Sequence, residues 1–403
     1  MGRCARRCRV ARLAHGTMLV VGLAACVDDV PSGARWPETI RPIDGRLPLA
    51  YLTNNGEDTV SVVSLADAVE VARVPVGRSP VDPEAPHHLA IDAEAGWVFV
   101  GLSNVGLREG GGLHGSHGGG LLPSWVQRLS LIDLRPDEER RVDPDLGDIV
   151  LTPDRRWVIT THFALERALQ VAMRGDPEQS GWGELNVLDA ASMTHRARLA
   201  VCAAPHGLAI TADGSTALVS CYADDTLAVV DLVAEPPVVR ARLPVGPAPG
   251  APAAIRYGPY AVAIAPDGGR AFVSTLEGKS LRVYDVRAAV MDDARALALP
   301  GAGFFAAFSP DGSRLWVPTQ DRDALVAVDP VGVAIVDRRD FGPECRAPHE
   351  VVYVRSLARL ALVCEGDRVG SGALLLLSPD RLDVLARVEV GVYPDAVRVV
   401  EAP

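Results

Sequence analysis

The chain has 403 residues, of which 48% are hydrophobic and only 5% aromatic, and its formal net charge is −11. No block of Lys or Arg lies beyond the N-terminus, so we expect no nucleic-acid partner. The 38 glycines and 31 prolines favour many turns and little long helix, which is typical of an all-β protein with one large domain or two smaller ones.

The first 25 residues have the composition of an export signal. Five arginines precede a short apolar segment, Met18–Ala25, which is too short to span a membrane as a helix. This segment ends in Leu-Ala-Ala-Cys, which resembles the bacterial lipoprotein box, and the resemblance implies cleavage before Cys26 and its lipidation. We therefore predict a signal peptide over residues 1–25 and a Pro-rich tether over 26–47, anchored to a membrane of the cell envelope. An ordinary signal peptide or a misassigned start is the alternative.

Structure is expected to begin at Pro48, and we assign residues 48–403 to one domain. Three short apolar runs follow, Leu49–Thr53, Thr59–Leu65 and Val69–Val76, and the turn residues between them predict antiparallel strands. The segment Tyr51–Asn54, of sequence YLTN, together with the TVSVV and VPVG segments after it, resembles the YVTN β-propeller repeat. That resemblance implies a bladed propeller, often exported, in a family with widely scattered functions.

Residues 205–246 contain one complete copy of the repeat. Their four apolar runs are Leu208–Thr211, Ala217–Ser220, Thr226–Leu232 and Val238–Val245. Runs of this length predict four antiparallel strands. Both faces of such a sheet are apolar, so it needs a copy of itself on each side.

Seven copies can be counted by the start of their first strand, and the last four starts are spaced by roughly 45 residues, as in propeller blades. The starts are His87, Gly147, His206, Tyr260, Phe304, His349 and Asp395. The wider gaps come from insertions at 102–127, 162–183 and 247–258. Because the chain ends on a lone strand, Asp395–Val400, we predict a seven-bladed β-propeller in which this strand completes the three-stranded first blade.

The four cysteines inside the propeller are predicted to form two disulfides. The same number of residues separates Cys202 from Cys221 and Cys345 from Cys364. Each pair joins the residues before the first strand of a blade to the end of its second strand, and antiparallel strands bring these positions together. An exported protein also meets an oxidising compartment. A metal–thiolate site is the alternative.

Histidines are the candidate functional residues. His87, His206 and His349 occupy three of the seven strand starts, which surround one mouth of the channel in a propeller; His88 and His162 lie nearby in sequence. Neutral imidazoles bind copper and zinc, so these five are candidate metal ligands.

The metal hypothesis is supported by a partial resemblance to a known propeller, and it has an alternative. The arrangement resembles in shape the propeller of nitrous oxide reductase, where histidines at one channel mouth hold a copper cluster. Gly147, Tyr260 and Phe304 occupy positions where such a ring would need ligands. The interpretation we prefer at this point is that each Pro-His start is a repeat feature, with the imidazole bonding the backbone of a neighbouring blade.

The long insertions hold the remaining candidates. His114 and His117 lie in a glycine-rich loop, where ordering the chain around a metal would cost entropy, so we predict a solvated loop. In the next insertion Leu165, Leu169 and Met173 recur at helical spacing. The resulting short helix is predicted either to pack back onto the propeller face, which we favour, or to expose an apolar stripe to a partner protein.

Function is predicted from what the chain has and what it lacks. There is no Gly-x-Ser-x-Gly elbow, phosphate loop or haem-attachment motif, and no constellation for lactonase or lyase activity, so we do not expect an enzyme. The first hypothesis is a monomeric, lipid-anchored binding or scaffold module of the envelope that engages a protein or small ligand through its long-loop face. The second is a copper- or zinc-binding or redox-partner protein with a His-lined channel mouth.

Overall fold

Seven antiparallel sheets in a ring form the protein in the computed structural model, a seven-bladed β-propeller as predicted. The structure describes residues 42–79, 83–103, 123–247 and 254–402. The predicted signal peptide, Cys26 with most of the tether, and the His114/His117 pair lie outside the described residues.

The strands in chain order are β1 (Leu49–Asn54), β2 (Thr59–Ser64), β3 (Val69–Pro75), β4 (Pro86–Asp92), β5 (Trp97–Leu102), β6 (Pro123–Ser130), β7 (Pro136–Pro144), β8 (Leu146–Leu151), β9 (Trp157–His162), β10 (Gly183–Asp189), β11 (His195–Cys202), β12 (Pro205–Ile210), β13 (Thr216–Cys221), β14 (Thr226–Asp231), β15 (Val238–Pro244), β16 (Pro259–Ile264), β17 (Arg270–Thr275), β18 (Ser280–Asp285), β19 (Val290–Met291), β20 (Leu297–Ala298), β21 (Ala307–Phe308), β22 (Leu315–Thr319), β23 (Ala324–Asp329), β24 (Ala334–Asp340), β25 (Pro348–Val354), β26 (Arg359–Cys364), β27 (Ser371–Leu377), β28 (Val384–Val392) and β29 (Pro394–Val400).

The α-helix α1 (Leu165–Arg174) lies between β9 and β10, and short 3-10 turns occupy Glu178–Gly181, Asp293–Arg295, Gln320–Arg322, Gly342–Glu344 and Arg355–Leu357. None of the helices in the described part of the chain has the length and hydrophobicity that a membrane crossing requires.

Blade 1 is closed by the two ends of the described chain, as the sequence predicts. Its strand order is β29-β1-β2-β3, whereas blades 2 to 4, 6 and 7 are built from four consecutive strands. In blade 5 the outer strand is split into β19 and β20, which both pair with β18. Strand β29 runs antiparallel to β1, with Leu49 opposite Val400 and Tyr51 opposite Arg398. This pairing covers the edge of β1 and gives the first blade its fourth strand.

Apolar side chains fill the spaces between neighbouring blades. Val60 and Val62 of blade 1, for example, belong to one buried cluster with Val98 and Val100 of blade 2. Full burial of a Val or Leu side chain stabilises the fold by about 1.5–3 kcal/mol. Because each sheet is apolar on both faces, this term is realised only when both neighbours are present.

The insertions differ slightly from their predicted bounds. Strand β6 begins at Pro123, so the end of the 102–127 insertion belongs to blade 2 itself. The second insertion contains α1 where helical spacing predicts it, and Gly175 ends the helix in the left-handed conformation at φ 70°. Ala168 of α1 packs with Phe163 and Ala204, so the helix lies back on the propeller.

Candidate metal centre in the central channel

The first strand of most blades begins with a break in its pairing register. In blade 2, Pro86 pairs with Leu102 and the ladder resumes at Leu89 opposite Val100. His87 and His88 therefore lie outside the ladder, and His88 has a positive φ of 56°. A bulge of this kind redirects side chains, and here it accompanies two successive imidazoles that are both fully buried.

The same break recurs at blades 3, 4, 5 and 7, after Leu146, Pro205, Pro259 and Pro348. The residue before these strands is often left-handed, as at Ala85, Asp145, Ala204, Gly258, Ala347 and Tyr393. The break leaves two successive residues outside the ladder in blades 2, 3, 4 and 7 and one, Tyr260, in blade 5, and the sequence determines which side chains occupy these positions.

Imidazoles from three blades meet across the channel. The ring centroid of His88 lies 5.8 Å from that of His349 and 6.0 Å from that of His206, and the His87 and His88 centroids are 4.4 Å apart. His88 also lies 4.6 Å from Phe305 of blade 6. Side chains of blades 2, 4, 6 and 7 can meet in this way only near the propeller axis.

Asp395 links two of these histidines. Its Oδ2 contacts Nδ1 of His87, and its Oδ1 lies 3.1 Å from Nε2 of His349. Nδ1 of His349 lies 2.6 Å from the backbone carbonyl oxygen of Asp395. His349 thus bonds the backbone of the neighbouring blade, as the repeat-feature interpretation predicts, and also faces a carboxylate. We call His87, His88, His349 and Asp395 the channel cluster.

His88 is oriented by a second carboxylate. Its Nδ1 lies 3.0 Å from Oδ1 of Asp148, and Oδ2 of Asp148 accepts a hydrogen bond from the amide of Leu208 at 2.9 Å. Nε2 of His88 is fully buried without a hydrogen-bond partner in the described part of the chain. An imidazole held by a carboxylate through one nitrogen, with the other nitrogen open, is the usual arrangement of a metal-binding histidine.

Burial and mutual charge shift the pKa values of the cluster. Burial lowers the pKa of His349 to about 3 and that of His87 below its usual value, although Asp395 opposes both changes. Burial also acts to raise the pKa of Asp395, but the neighbouring His87 and His349 lower it further, so that the net pKa lies below its usual range. For His88, burial is outweighed by Asp148 and the pKa is raised. The Asp395 carboxylate is therefore ionised and available as an anionic ligand.

Two further carboxylates lie close to the channel cluster. Oε1 of Glu350 lies 2.6 Å from Nη1 of Arg398, and its Oε2 accepts the amide of Val397 at 2.8 Å. Oε1 of Glu365 accepts from Gln320 at 2.7 Å and its Oε2 from Arg368 at 2.8 Å.

Glu365 is completely buried, and burial raises its pKa to about 8 although Arg368 opposes the change. Among the described residues it forms a ligand group with His349 and Asp395, whose ligand atoms all lie within 4.8 Å of one another.

The opposite side of the channel is aromatic. The ring of Tyr260 lies 5.1 Å from that of Phe304 and 5.8 Å from that of Phe305. His206 stacks on Tyr260 at 3.8 Å with an interplanar angle of 25°. It therefore borders the channel cluster and belongs to neither of the channel's ligand groups found in the described ranges.

His162 lies apart from the other candidate ligands. Its Nε2 is 2.9 Å from the hydroxyl of Thr160 and its Nδ1 is 3.1 Å from the carbonyl oxygen of Pro144. It lines a separate pocket of about 180 Å³ beside α1. Burial lowers its pKa to about 4. The structure thus brings His87, His88 and His349 together and places His206 at their border.

Sequence reasoning did not single out Asp148, Glu350 or Glu365. The first two follow the strand-start position by one residue, in Gly147-Asp148 and His349-Glu350, as His88 follows His87. An alignment of the second channel position across blades would have found them. Glu365 follows Cys364 at the end of β26, and no repeat position marks it.

Both predicted disulfides are present. Cys202 bonds Cys221 and Cys345 bonds Cys364, with Cα–Cα distances of 5.9 and 5.1 Å. Both pairs of thiols are consumed by the disulfides, so a metal–thiolate site at these cysteines is not present.

The three helix residues predicted to bind a partner differ in exposure. Leu165 packs against the buried group around Phe163, Leu169 is half-buried, and Met173 is 75% exposed. Partner binding by this helix stays a prediction.

Comparisons with known proteins identify the fold. No protein-family model matches the chain, and no curated protein matches it either. Among solved structures it is similar to a periplasmic gluconolactonase of Pseudomonas aeruginosa, with 16% identity, a TM-score of 0.65 and coverage of 88% of this chain and 99% of that one. It is also similar to a protein described as a putative 6-phosphogluconolactonase of Bacteroides uniformis (13% identity, TM-score 0.61, coverage 88% and 100%).

A third similar structure is the dihydro-heme d1 dehydrogenase NirN, with 15% identity, a TM-score of 0.52 and coverage of 91% of this chain and 77% of that one. At such identities the likeness shows a similar fold alone, and fold does not specify function.

Proposed function

We propose that the channel cluster binds a divalent transition-metal ion, with zinc or copper as the best chemical match. The observation that carries this proposal is the group His87, His88 and Asp395, in which one ligand atom from each residue lies within 4.8 Å of the others. All three side chains are fully buried or nearly so. Two imidazoles and a carboxylate form a donor set that suits zinc and copper.

The surroundings of the group support a metal rather than a purely structural network. Nδ1 of His88 lies 3.0 Å from Oδ1 of Asp148, and Nε2 is buried without a hydrogen-bond partner among the described residues. A buried polar atom without a hydrogen bond costs about 1–3 kcal/mol. A metal ion bound at Nε2 would remove that cost.

Charge at this level of the channel also favours a cation. Even without Glu365, whose raised pKa favours its neutral form, more carboxylates than guanidinium groups surround the site, namely Asp148, Glu350 and Asp395 against Arg368 and Arg398. In a water-poor site this excess of negative charge attracts a divalent ion more strongly than it would in water.

Metal titration of the untagged protein tests the proposal. The chelator-stripped chain is titrated with Zn²⁺ or Cu²⁺, dialysed, and its metal content measured by inductively coupled plasma mass spectrometry. We expect stoichiometric retention by the wild type and loss in His88→Ala. His195→Ala is the matched control, because His195 is exposed and its Nε2 lies 2.8 Å from the carbonyl oxygen of Arg141. A wild type that retains no metal, or a His88→Ala variant that binds as tightly as the wild type, would refute the site.

Protein binding at the long-loop face is the second candidate function, within the predicted lipid-anchored envelope protein. Met173 in α1 and Val369 in the loop between β26 and β27 are 75% and 84% exposed. Both lie in connections between the second and third strands of a blade, which share one face of a propeller. Two disulfides also fit an oxidising compartment. Replacing both residues with Ser should abolish co-purification of an envelope partner, and unchanged co-purification would count against this face.

The predicted lipid anchor is tested separately with the Cys26→Ser variant. We expect this variant to leave the membrane fraction, and its retention there would contradict the anchor.

A further inference from the structure

We propose that the channel holds two metal ions bridged by the carboxylate of Asp395. This inference rests on the proposed function and deepens it, because it assigns a second ligand group and a stoichiometry. The described residues contain two ligand groups in the channel, His87–His88–Asp395 and His349–Glu365–Asp395. Asp395 is the residue that they share.

The two oxygens of Asp395 point to different partners. Oδ2 contacts His87 of blade 2, and Oδ1 faces His349 of blade 7. A carboxylate that directs one oxygen to each side can bind one ion through each oxygen. In two-metal sites the ions lie about 3.5–4 Å apart, a separation that one bridging carboxylate can span.

The second group has the geometry of two ligands of one ion. Nε2 of His349 and Oδ1 of Asp395 are 3.1 Å apart, and neighbouring ligands at about 2.0–2.1 Å from a tetrahedral zinc lie about 3.3 Å apart. Nδ1 of His349 is within 2.6 Å of a backbone carbonyl oxygen. This contact fits an imidazole proton on Nδ1, so Nε2, which faces Oδ1 of Asp395, is the nitrogen that would bind the metal.

Glu365 supplies the third ligand. Gln320 and Arg368 each donate to one of its oxygens, at 2.7 and 2.8 Å, and every carboxylate oxygen retains a second lone pair. The carboxylate is completely buried, so these two contacts fix its orientation beside His349. Arg368 reaches towards solvent, with 26% of its side chain exposed.

The stoichiometry and the magnetic coupling of bound copper test the second ion. The untagged protein is loaded with Cu²⁺ and dialysed, and its copper content and electron paramagnetic resonance spectrum are measured. We expect two copper ions per chain and a signal smaller than two isolated ions would give, because a bridging carboxylate couples their spins. Glu365→Gln should hold one ion and show the full signal of one isolated copper.

The control and the contradicting outcomes are separable. Glu277→Gln changes an exposed carboxylate that accepts a hydrogen bond from the Tyr222 hydroxyl at 2.8 Å, and this variant should still bind two ions. One copper in the wild type would overturn the second site and leave the proposed function intact, whereas none would refute both. Two coppers in Glu365→Gln would remove Glu365 as a ligand. Should this variant fail to fold, the wild-type copper content and spectrum decide alone.

Discussion

Blades 7, 1 and 2 and blades 5 and 6 use the same strand position of the repeat in opposite ways. On one side the position carries His349, Asp395 and His87; on the other it carries Tyr260 and Phe304. All five side chains are buried. We call the two sides the polar half and the aromatic half of the channel.

The comparison shows that the repeat fixes where a side chain lies, whereas the residue type in each blade determines its chemistry. The aromatic half excludes water and lowers the local dielectric, which strengthens charge interactions in the polar half. The polar half in turn concentrates its ionisable groups on three adjacent blades that include the closing strand β29. A metal ion in the polar half would therefore also join the two ends of the propeller ring.

The largest expected effect comes from removing one central side chain from each half. Asp395→Ala removes a buried charge that faces two histidines and should lower the free energy of unfolding by about 3–5 kcal/mol. Phe304→Ala leaves a cavity and should cost a similar 3–5 kcal/mol. Chemical denaturation of the metal-free proteins measures both losses. Only Asp395→Ala should also abolish metal retention; loss of metal in Phe304→Ala at a temperature where it is folded would contradict the division into halves.

Removing the disulfides should have the next largest effect. Both close loops with a sequence separation of 19, so the chain-entropy relation gives about 3 kcal/mol for each. Cys202→Ala/Cys221→Ala and Cys345→Ala/Cys364→Ala should therefore lose similar stability in non-reducing denaturation.

The two disulfide variants should differ in metal affinity. Cys364 pairs with Pro348, next to His349 in the polar half, whereas Cys221 pairs with Pro205, next to His206 at the border. We expect weaker metal binding only in the blade 7 variant, measured by competition with a chelator. Equal weakening in both would show that the two halves are not independent.

Substituting Asp148, the carboxylate next to the candidate ligand His88, should have a moderate effect on metal affinity alone. Asp148→Asn weakens the contact that orients His88 and should reduce metal affinity by about 10–100-fold. Isothermal titration of Zn²⁺ measures the change. Asp383→Asn is the control, since Asp383 lies at the surface and pairs with Arg381 at 2.8 Å. An Asp148→Asn affinity equal to that of the control would remove Asp148 from the site.

The smallest effect is expected at the border between the halves. His206→Phe keeps a ring stacked on Tyr260 and should change the free energy of unfolding by less than about 1.5 kcal/mol. The metal content should stay the same, because His206 belongs to neither of the channel's ligand groups found in the described ranges. Loss of metal in this variant, with the fold intact by circular dichroism, would show that His206 is a ligand and belongs to the polar half.

Much of the fold could be predicted from the sequence because its signals are local and repeated. The turn residues and apolar runs of residues 205–246 predict the four strands β12–β15, and the lone strand at 395–400 predicts the closure that β29 makes with β1. Cysteine spacing predicted both disulfides for the same reason. Antiparallel neighbours with short turns bring sequence-near positions together, so spacing alone specifies the contact.

Which histidines meet was decided only by the tertiary structure. His88, His349 and Asp395 come from separate blades, and their contact depends on the closing of the ring and on the bulge at each strand start. His162 has the same side chain but ends strand β9, and its nitrogens face Thr160 and Pro144. Residue type and spacing determine what each blade can offer the channel, but the direction of a side chain and its distance from another blade depend on long-range packing.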